Sequence, residues 1–403
     1  MSNKRYRKGI AWKFAFYLST LVAITFLILL ILNIVNSAFG YVVIENSIEP
    51  EKLAAHGQSL EEVEKEQLIG VLEEHLSKGL IRRFNYEEPL GERTETELLR
   101  LVYERVVSPE ILKSWSLLES LLGKDDIKAW RDTNAPQGIV EFRAWLNTDF
   151  ITTPQSPVPE FAGIRTALFG SLWMILITLL FAFPVGVAAA IYLEEYANPN
   201  LLTKIIQVNI YNLSGVPSII YGLLGLAVFV RFLEPLTSGA LFGFAEAGTA
   251  NGRTILSAGL TLGLLILPII IINSQEAIRG VPQTLRDSSY GLGATKWQTI
   301  LHHVLPASFD RILTGTILSV SRAVGETAPL IVVGASTFIS VDPNNVFSKF
   351  TTLPIQIYQW TARPQAEFRN IAAAAIIALL VLLLSMNAFA IVARDKIGKK
   401  RKG

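Results

Sequence analysis

Cysteine is absent from all 403 residues. No disulfide, thiolate nucleophile or cysteine-ligated metal is therefore available. Histidine is nearly as scarce: only His56, His75 and the pair His302/His303 occur, and their spacing does not suggest zinc. No GxxxxGK(S/T) loop is present, so the chain has no P-loop of its own for ATP. Charge is also short. Asp, Glu, Lys and Arg make up 17% of the residues, where a globular protein carries about 25%. Set against 51% hydrophobic residues, that deficit points to a membrane protein. The net charge of +2 averages two unlike halves, and nothing in it points to nucleic acid.

What the chain does have is long apolar runs. A membrane-spanning helix needs about 20 mostly apolar residues. Six stretches qualify: Phe14–Phe39, Thr166–Tyr192, Ile205–Val230, Ile255–Ile272, Ile312–Ala335 and Ile371–Val392. Lys4, Arg5, Arg7, Lys8 and Lys13 precede the first, and Arg394, Lys396, Lys399, Lys400, Arg401 and Lys402 follow the last. Basic flanks stay in the cytoplasm, so both termini are expected inside, which requires an even number of spans. The first run is too long for a signal-peptide core of about 7–15 residues and reads as an uncleaved anchor.

This topology places Val43–Arg165 outside. That segment is acidic, with 23 acids against 14 bases. It also carries helix signals. Ser59-Leu60-Glu61-Glu62 reads as a capping box before Val63, Leu68, Leu72 and Leu76, with Gly79 as the stop. Thr94 with Glu97 reads as another. Ser108-Pro109 reads as the N-cap and first residue of a third helix ending at Gly123. A small helical extracytoplasmic insert is expected, serving as a lid, a spacer or a docking surface.

The fifth run holds SRAVGETAPL, Ser321 to Leu330. Arg322 lies about 15 Å from either end of the run, beyond the reach of a snorkelling side chain. Each such charge costs about 2.5–3.5 kcal/mol on insertion scales. Glu326 is four residues on, so on a continuous helix the two share a face and can pair. Gly325 would let another backbone approach, and Pro329 would free a carbonyl. Two readings follow. The pair locks helices together, or Arg322 meets an anion in a water-filled path, where its planar fork suits a tetrahedral oxyanion. Ser321 and Thr327 flank the pair as hydroxyl donors. In the third run, Gly215 and Pro217 interrupt an apolar helix beside Asn212, Ser214 and Tyr221, as interrupted helices at substrate sites do.

Between runs four and five, Arg279 to Asp310, the chain has its own structure. Pro282 starts a short helix through Tyr290, Gly291 and Gly293 break it, and Thr295 with Gln298 caps a second that Pro306 should end. The charges Arg286, Asp287 and Lys296 are mixed in sign, where an interfacial helix would be strongly basic. A protein-docking knob fits better.

This loop resembles the "EAA" loop of ATP-binding cassette importer permeases, whose pattern is Glu-Ala-Ala, three residues, Gly, nine residues, Ile-x-Leu-Pro. Asp287-Ser288-Ser289 stands for the triplet, Gly293 for the glycine, and Leu305-Pro306 closes it, with His303 where Ile is usual. Further stretches resemble the phosphate-specific, PstA-type branch: RAVGETAPL (Arg322–Leu330), GVPSIIYGL (Gly215–Leu223), PVGVAAAIYLEEYA (Pro184–Ala197) and LPIQIYQWTARPQAEFRNIAAAAI (Leu353–Ile376). The likeness runs over roughly 162–394 plus the first span, and leaves out most of 43–143.

The resemblance implies an all-α membrane protein with six transmembrane helices, the type I importer permease fold and the helical insert. Its parts would be 1–42 (N-terminus and first span), 43–161 (insert), 162–394 (transport domain, coupling loop 279–310) and 395–403 (basic tail). It implies a permease of the cytoplasmic membrane that carries inorganic phosphate and performs no covalent chemistry. Arg322, Glu326, Ser321 and Thr327 would line the path. Asp287, Ser288, Ser289, Gly293, Leu305 and Pro306 would couple to the ATPase. Partners would be a homologous second permease subunit, two ATP-binding cassette subunits that bind ATP-Mg, an extracytoplasmic phosphate-binding protein and membrane lipid. No cofactor is expected on this chain. The rival readings are a permease for sulfate or molybdate, an ion-coupled secondary transporter, and a non-transporting anchor for the insert.

Overall fold

The computed structural model describes residues 2–53, 60–87, 89–243, 251–335, 338–339 and 341–402. The chain divides into two units: 1–150 with 156–162 and 363–377, and 151–155 with 163–362 and 378–403.

The first unit begins with α1 (Ser2–Ala38). From Ala11 to Leu32 its side chains are exposed and mostly apolar, as for a helix that faces lipid all round. Without a loop it passes into β1 (Phe39–Asn46). Behind it come α2 (Lys65–His75), α3 (Lys78–Glu87) and α4 (Glu95–Val102), then β2 (Pro109–Ser114), α5 (Leu117–Leu122), α6 (Lys124–Asn134) and β3 (Ile139–Ala144). The strands form one antiparallel sheet in the order β2-β1-β3, with Val42 opposite Ser114 and Val43 opposite Val140.

The insert is therefore a mixed domain and not a purely helical one. Ser108 does not cap a helix; it sits in the left-handed region (φ 43°), and Pro109 opens an edge strand. A proline at the start of an edge strand forfeits no ladder bond, and pairing with β1 outweighs the local helix signal. The cap lies further on, at Ser116, whose capping box with Glu119 opens α5; Gly123 ends that helix as expected. The Thr94–Glu97 box is present. Ser59 falls outside the described residues. α2 buries Leu68 and Leu72 but stops at Leu76, and Gly79 lies in the first turn of α3 instead of ending a helix. Leu60, Val63, Leu68, Leu72, Phe84, Leu98 and Val102 share one core.

The second unit is built on α7 (Arg165–Ile191), α8 (Leu201–Ser214), α9 (Ser218–Gly225, continued by a π turn to Phe232), α10 (Ile255–Arg279), α11 (Gln283–Gly291), α12 (Lys296–Thr299), α13 (Leu305–Val324), α14 (Ala328–Val333) and α15 (Leu353–Thr361). α16 (Ala366–Lys402) closes the chain. α7 and α10 pack together through the unit, and Thr178 Oγ1 donates to Gly259 O at 3.0 Å. Met174, Leu262, Ile266 and Val324 lie in the core around them.

Among the described residues, α1, α7, α10 and α16 are long and apolar enough to cross a bilayer. The third expected span is not straight. α8 and the Ser218–Phe232 helix meet at 107° across Gly215-Val216-Pro217, where the sequence signals a break. The fifth is two helices, α13 and α14. Asp310, Arg311 and Arg322 fall within every 18-residue window of α13, so it is amphipathic and not uniformly apolar. Pro306 does not end the second loop helix. The coil runs on from α12 through a π turn (Ile300–Val304) into α13. A proline lacks the N–H and crowds the carbonyl four residues back; the wider π turn before it accommodates both.

Candidate functional site

The break in the fifth run falls on the residues that make it unusual. α13 ends at Val324, Gly325 caps it, and α14 restarts at Ala328. Arg322 thus occupies the last turn of α13, where the helix dipole favours a cation. Glu326 lies beyond the cap, so a shared helical face does not bring the two together. They meet nonetheless, Nε to Oε1 at 3.7 Å, with the Arg322 side chain 54% exposed and that of Glu326 19%. At that length the pair is an electrostatic contact and not a hydrogen bond. The guanidinium keeps donors for another acceptor.

Ser321 has partners: its Oγ lies 2.8 Å from Ile317 O and 2.6 Å from Asn387 Oδ1. Asn387, on α16, escapes notice in the sequence. Thr327 precedes α14 and makes no side-chain capping bond. No second backbone of this chain packs against Gly325, where a Cβ would meet only Arg322 O at 3.7 Å. The close approach belongs to Gly222 of α9, where a Cβ would come within 2.7 Å of Pro329 Cα. The two interrupted stretches therefore pack directly on each other. Pro329 breaks no helical bond, because it stands in the first turn of α14, where the N–H is unpaired in any helix.

The loop after α10 has the expected double helix. Pro282 precedes α11, and a capping box of Thr295 and Gln298 opens α12. Gly293 adopts φ +84° with open space around it, so glycine is needed there for its backbone and not for room. Asp287 accepts from Gln283 Nε2 at 3.1 Å, and Ser288 donates to Thr284 O at 2.8 Å; both are exposed. Ser289 is buried, its hydroxyl 2.9 Å from Thr299 Oγ1, and stitches α11 to α12. Leu305 and Pro306 are half-buried. Leu292, Trp297 and Leu301 are exposed, an apolar outer surface on a tied knob.

Arg286 is not part of that surface. It is buried, with Nη2 2.8 Å from Glu195 Oε1 and Nε 3.1 Å from the same oxygen. Nη1 donates to Val281 O at 2.7 Å and Nη2 to Ile278 O at 3.0 Å. Beside it, Arg279 and Gln275 both donate to Glu194, and Lys296 Nζ stands 5.1 Å over the Tyr196 ring. The π turn Tyr192–Tyr196 that follows α7 therefore holds the knob through Glu195 and Tyr196, and the end of α10 through Glu194. The signal for this clamp is the Glu194-Glu195 pair at the end of an apolar run, which demands cationic partners. Among the described residues, no group of three or more His, Asp or Glu could hold a metal ion.

Residues 182–397 match the family described as binding-protein-dependent transport system inner membrane component. The matched segment contains both breaks, the Arg322–Glu326 pair and the knob. The chain is 32% identical over 260 residues to the probable ABC transporter permease protein YqgI of Bacillus subtilis (strain 168), covering 62% of this chain and 82% of that protein. It is 34% identical over 235 residues to the phosphate transport system permease protein PstA of Mycobacterium leprae (strain TN), covering 57% and 70%. It is 33% identical over 249 residues to the protein of the same name from Yersinia pestis, covering 60% and 78%.

Proposed function

The chain belongs to the family of binding-protein-dependent transport system inner membrane components, and from that premise we propose that it is the permease subunit of an ATP-driven importer of inorganic phosphate. It is a multi-pass protein of the inner membrane. We place both termini in the cytoplasm, on the strength of the basic residues at each end, and the β1–β3 insert on the outer side.

The observation that carries the reading is Arg322: a half-exposed guanidinium at a helix break in an apolar run, only loosely engaged by Glu326. Arginine stays charged throughout the physiological range and can hold two oxygens of a tetrahedral anion at once. Glu326 at 3.7 Å keeps the charge balanced when the path is empty. A phosphate displaces that contact in favour of shorter, charge-assisted bonds. Thr327 adds a hydroxyl at the break, and Ser321, one turn before it, adds its own by releasing Asn387 Oδ1.

The Asp287–Pro306 knob docks on the ATPase. Leu292, Trp297 and Leu301 supply apolar contact, Asp287 and Ser288 supply the polar rim, and Gly293 sets the angle between α11 and α12. ATP-Mg binds on two partner cassette subunits, and this chain binds no cofactor itself. A homologous second permease subunit and an extracytoplasmic phosphate-binding protein complete the assembly.

The test is labelled-phosphate uptake into proteoliposomes holding the assembled complex. Uptake that requires ATP and yields to excess phosphate, but not to sulfate or molybdate, supports the reading. Competition by sulfate or molybdate at equal concentration would move the substrate to another oxyanion. Uptake without the ATPase subunits, abolished by an uncoupler, would replace the mechanism.

A further inference from the structure

α5 is built inside out. Its buried residue is a serine: Ser120 is 2% exposed and its Oγ accepts from Tyr41 N at 2.8 Å. Three of its four leucines face outward, with Leu118 60%, Leu121 70% and Leu122 81% exposed. These three stand at i, i+3 and i+4, on one helical face. A short helix in water would be oriented the other way, so an apolar medium covers this face.

The position of α5 says which medium. Leu118 N donates to Asn36 Oδ1 at 2.7 Å, tying α5 to the end of the first membrane helix. In α1 the stretch Phe14–Leu32 carries no charge or side-chain amide, and the hydroxyls of Ser19, Thr20 and Thr25 are each bonded to a carbonyl of their own helix, before Asn33; its 19 residues are about the length of a bilayer's 30 Å hydrocarbon core. Asn36 is three residues on, about 4.5 Å along the axis. That puts α5 at the hydrocarbon boundary, where interfacial helices bury an apolar face about 5–10 Å deep. The surroundings are those of a headgroup region. Trp115 and Trp130 pack edge to face at 5.4 Å, with Lys113 Nζ 5.0 Å from both rings. Tryptophan and lysine together favour this zone. The Glu119 carboxylate is held by the cap of its own helix, accepting from Ser116 N and Oγ, both at 2.9 Å.

We propose that α5 is a membrane-interface anchor, lying in the leaflet at the C-terminal end of α1 with Leu118, Leu121 and Leu122 immersed in lipid. The insert is thereby held against the bilayer at the root of β1. The reading does not depend on what the protein transports.

Because the chain has no cysteine, single cysteines can be introduced without background. We would place spin labels at Leu118→Cys, Leu121→Cys, Leu122→Cys and, as a water-facing control, Asp132→Cys on α6. The full chain would be reconstituted with its partners in phosphatidylethanolamine–phosphatidylglycerol vesicles. Collision with dissolved oxygen, which concentrates in lipid, is compared with collision with a water-soluble nickel chelate. The expected result is oxygen access exceeding nickel access several-fold at the three leucine positions, and the reverse at 132. Nickel access at all three equal to that at 132 would overturn the proposal. Low access to both reagents would also overturn it, by showing a protein surface over α5. All four positions are exposed, so folding does not hinge on the substitutions; Leu121→Ser, checked by circular dichroism, should leave the secondary structure unchanged.

Discussion

The Arg286–Glu195 and Arg322–Glu326 pairs use the same two side chains in opposite surroundings. In the first, both side chains are buried, the closest contact is 2.8 Å, and the guanidinium also serves two backbone carbonyls. In the second, the contact is 3.7 Å and the arginine is half-exposed. A desolvated ion must have its donors satisfied, and when they all are it has nothing left for a ligand. The first pair is therefore a clamp between the end of α7 and the knob. The second is a poised charge. Side-chain identity is the same in both; the remaining valences of the arginine separate structure from function.

That contrast is most severely tested by breaking the clamp. Arg286→Met alone should leave the Glu195 carboxylate buried without its cation and cost about 3–5 kcal/mol, read as a lowered thermal midpoint of the purified chain. Arg286→Met with Glu195→Leu should recover most of that loss, because an apolar pair of similar volume carries no desolvation penalty. If the double variant is no more stable than the single one, the clamp is not a self-contained pair.

Arg322→Gln comes next. It should leave stability and assembly unchanged, since a loose exposed pair is worth at most about 1 kcal/mol. Phosphate uptake should fall by about 100-fold, the equivalent of roughly 3 kcal/mol for a lost hydrogen bond to a charged group. Normal transport by this variant would make the second pair structural after all and erase the distinction.

Gly293→Val is smaller. A Cβ at φ +84° meets no neighbour, so the cost is conformational, about 1–2 kcal/mol. It should appear as weaker recovery of the ATPase subunits on the purified chain, with uptake reduced in proportion. Undiminished recovery would separate the knob's elbow from docking.

The sequence is most legible where one local property decides the outcome. Spans one, two, four and six are continuous apolar runs, and their helices end within a few residues of the expected limits on at least one side. The GVP break in the third run is legible because glycine and proline act on their own neighbours. The break after Arg322 is not, because Gly325 alone is compatible with a continuous helix and the turn depends on α14 packing against Gly222. β1 is hidden by its position: FGYVVIEN continues the hydrophobicity of α1 and merges with it. β2 is misread because its partner, Val42–Asn46, is more than sixty residues away, while the Ser-Pro signal is adjacent. Arg286 follows the same rule. Nothing near it in the chain distinguishes a surface charge from a buried one, and its carboxylate lies 91 residues earlier.

A third arginine–glutamate couple sharpens the comparison from the side of burial without pairing. Arg143 Nη2 donates to the backbone oxygen of Glu160 at 2.9 Å, not to its carboxylate, and Glu160 Oε2 is buried with no hydrogen bond. Burial pushes the Glu160 carboxyl above the usual carboxylate range; Arg143 opposes the shift, while Glu367 and Glu110 add to it. Folding then takes up a proton between the unfolded and folded pKa values, so stability is highest below the unfolded value near 4.3 and declines as pH rises through the folded one. Glu160→Gln should remove that decline and be the more stable protein above it, by an amount smaller than any of the effects above. The measurement is the thermal midpoint of both proteins from pH 4 to pH 8, and parallel curves would mean that Glu160 is paired or solvated in the folded protein.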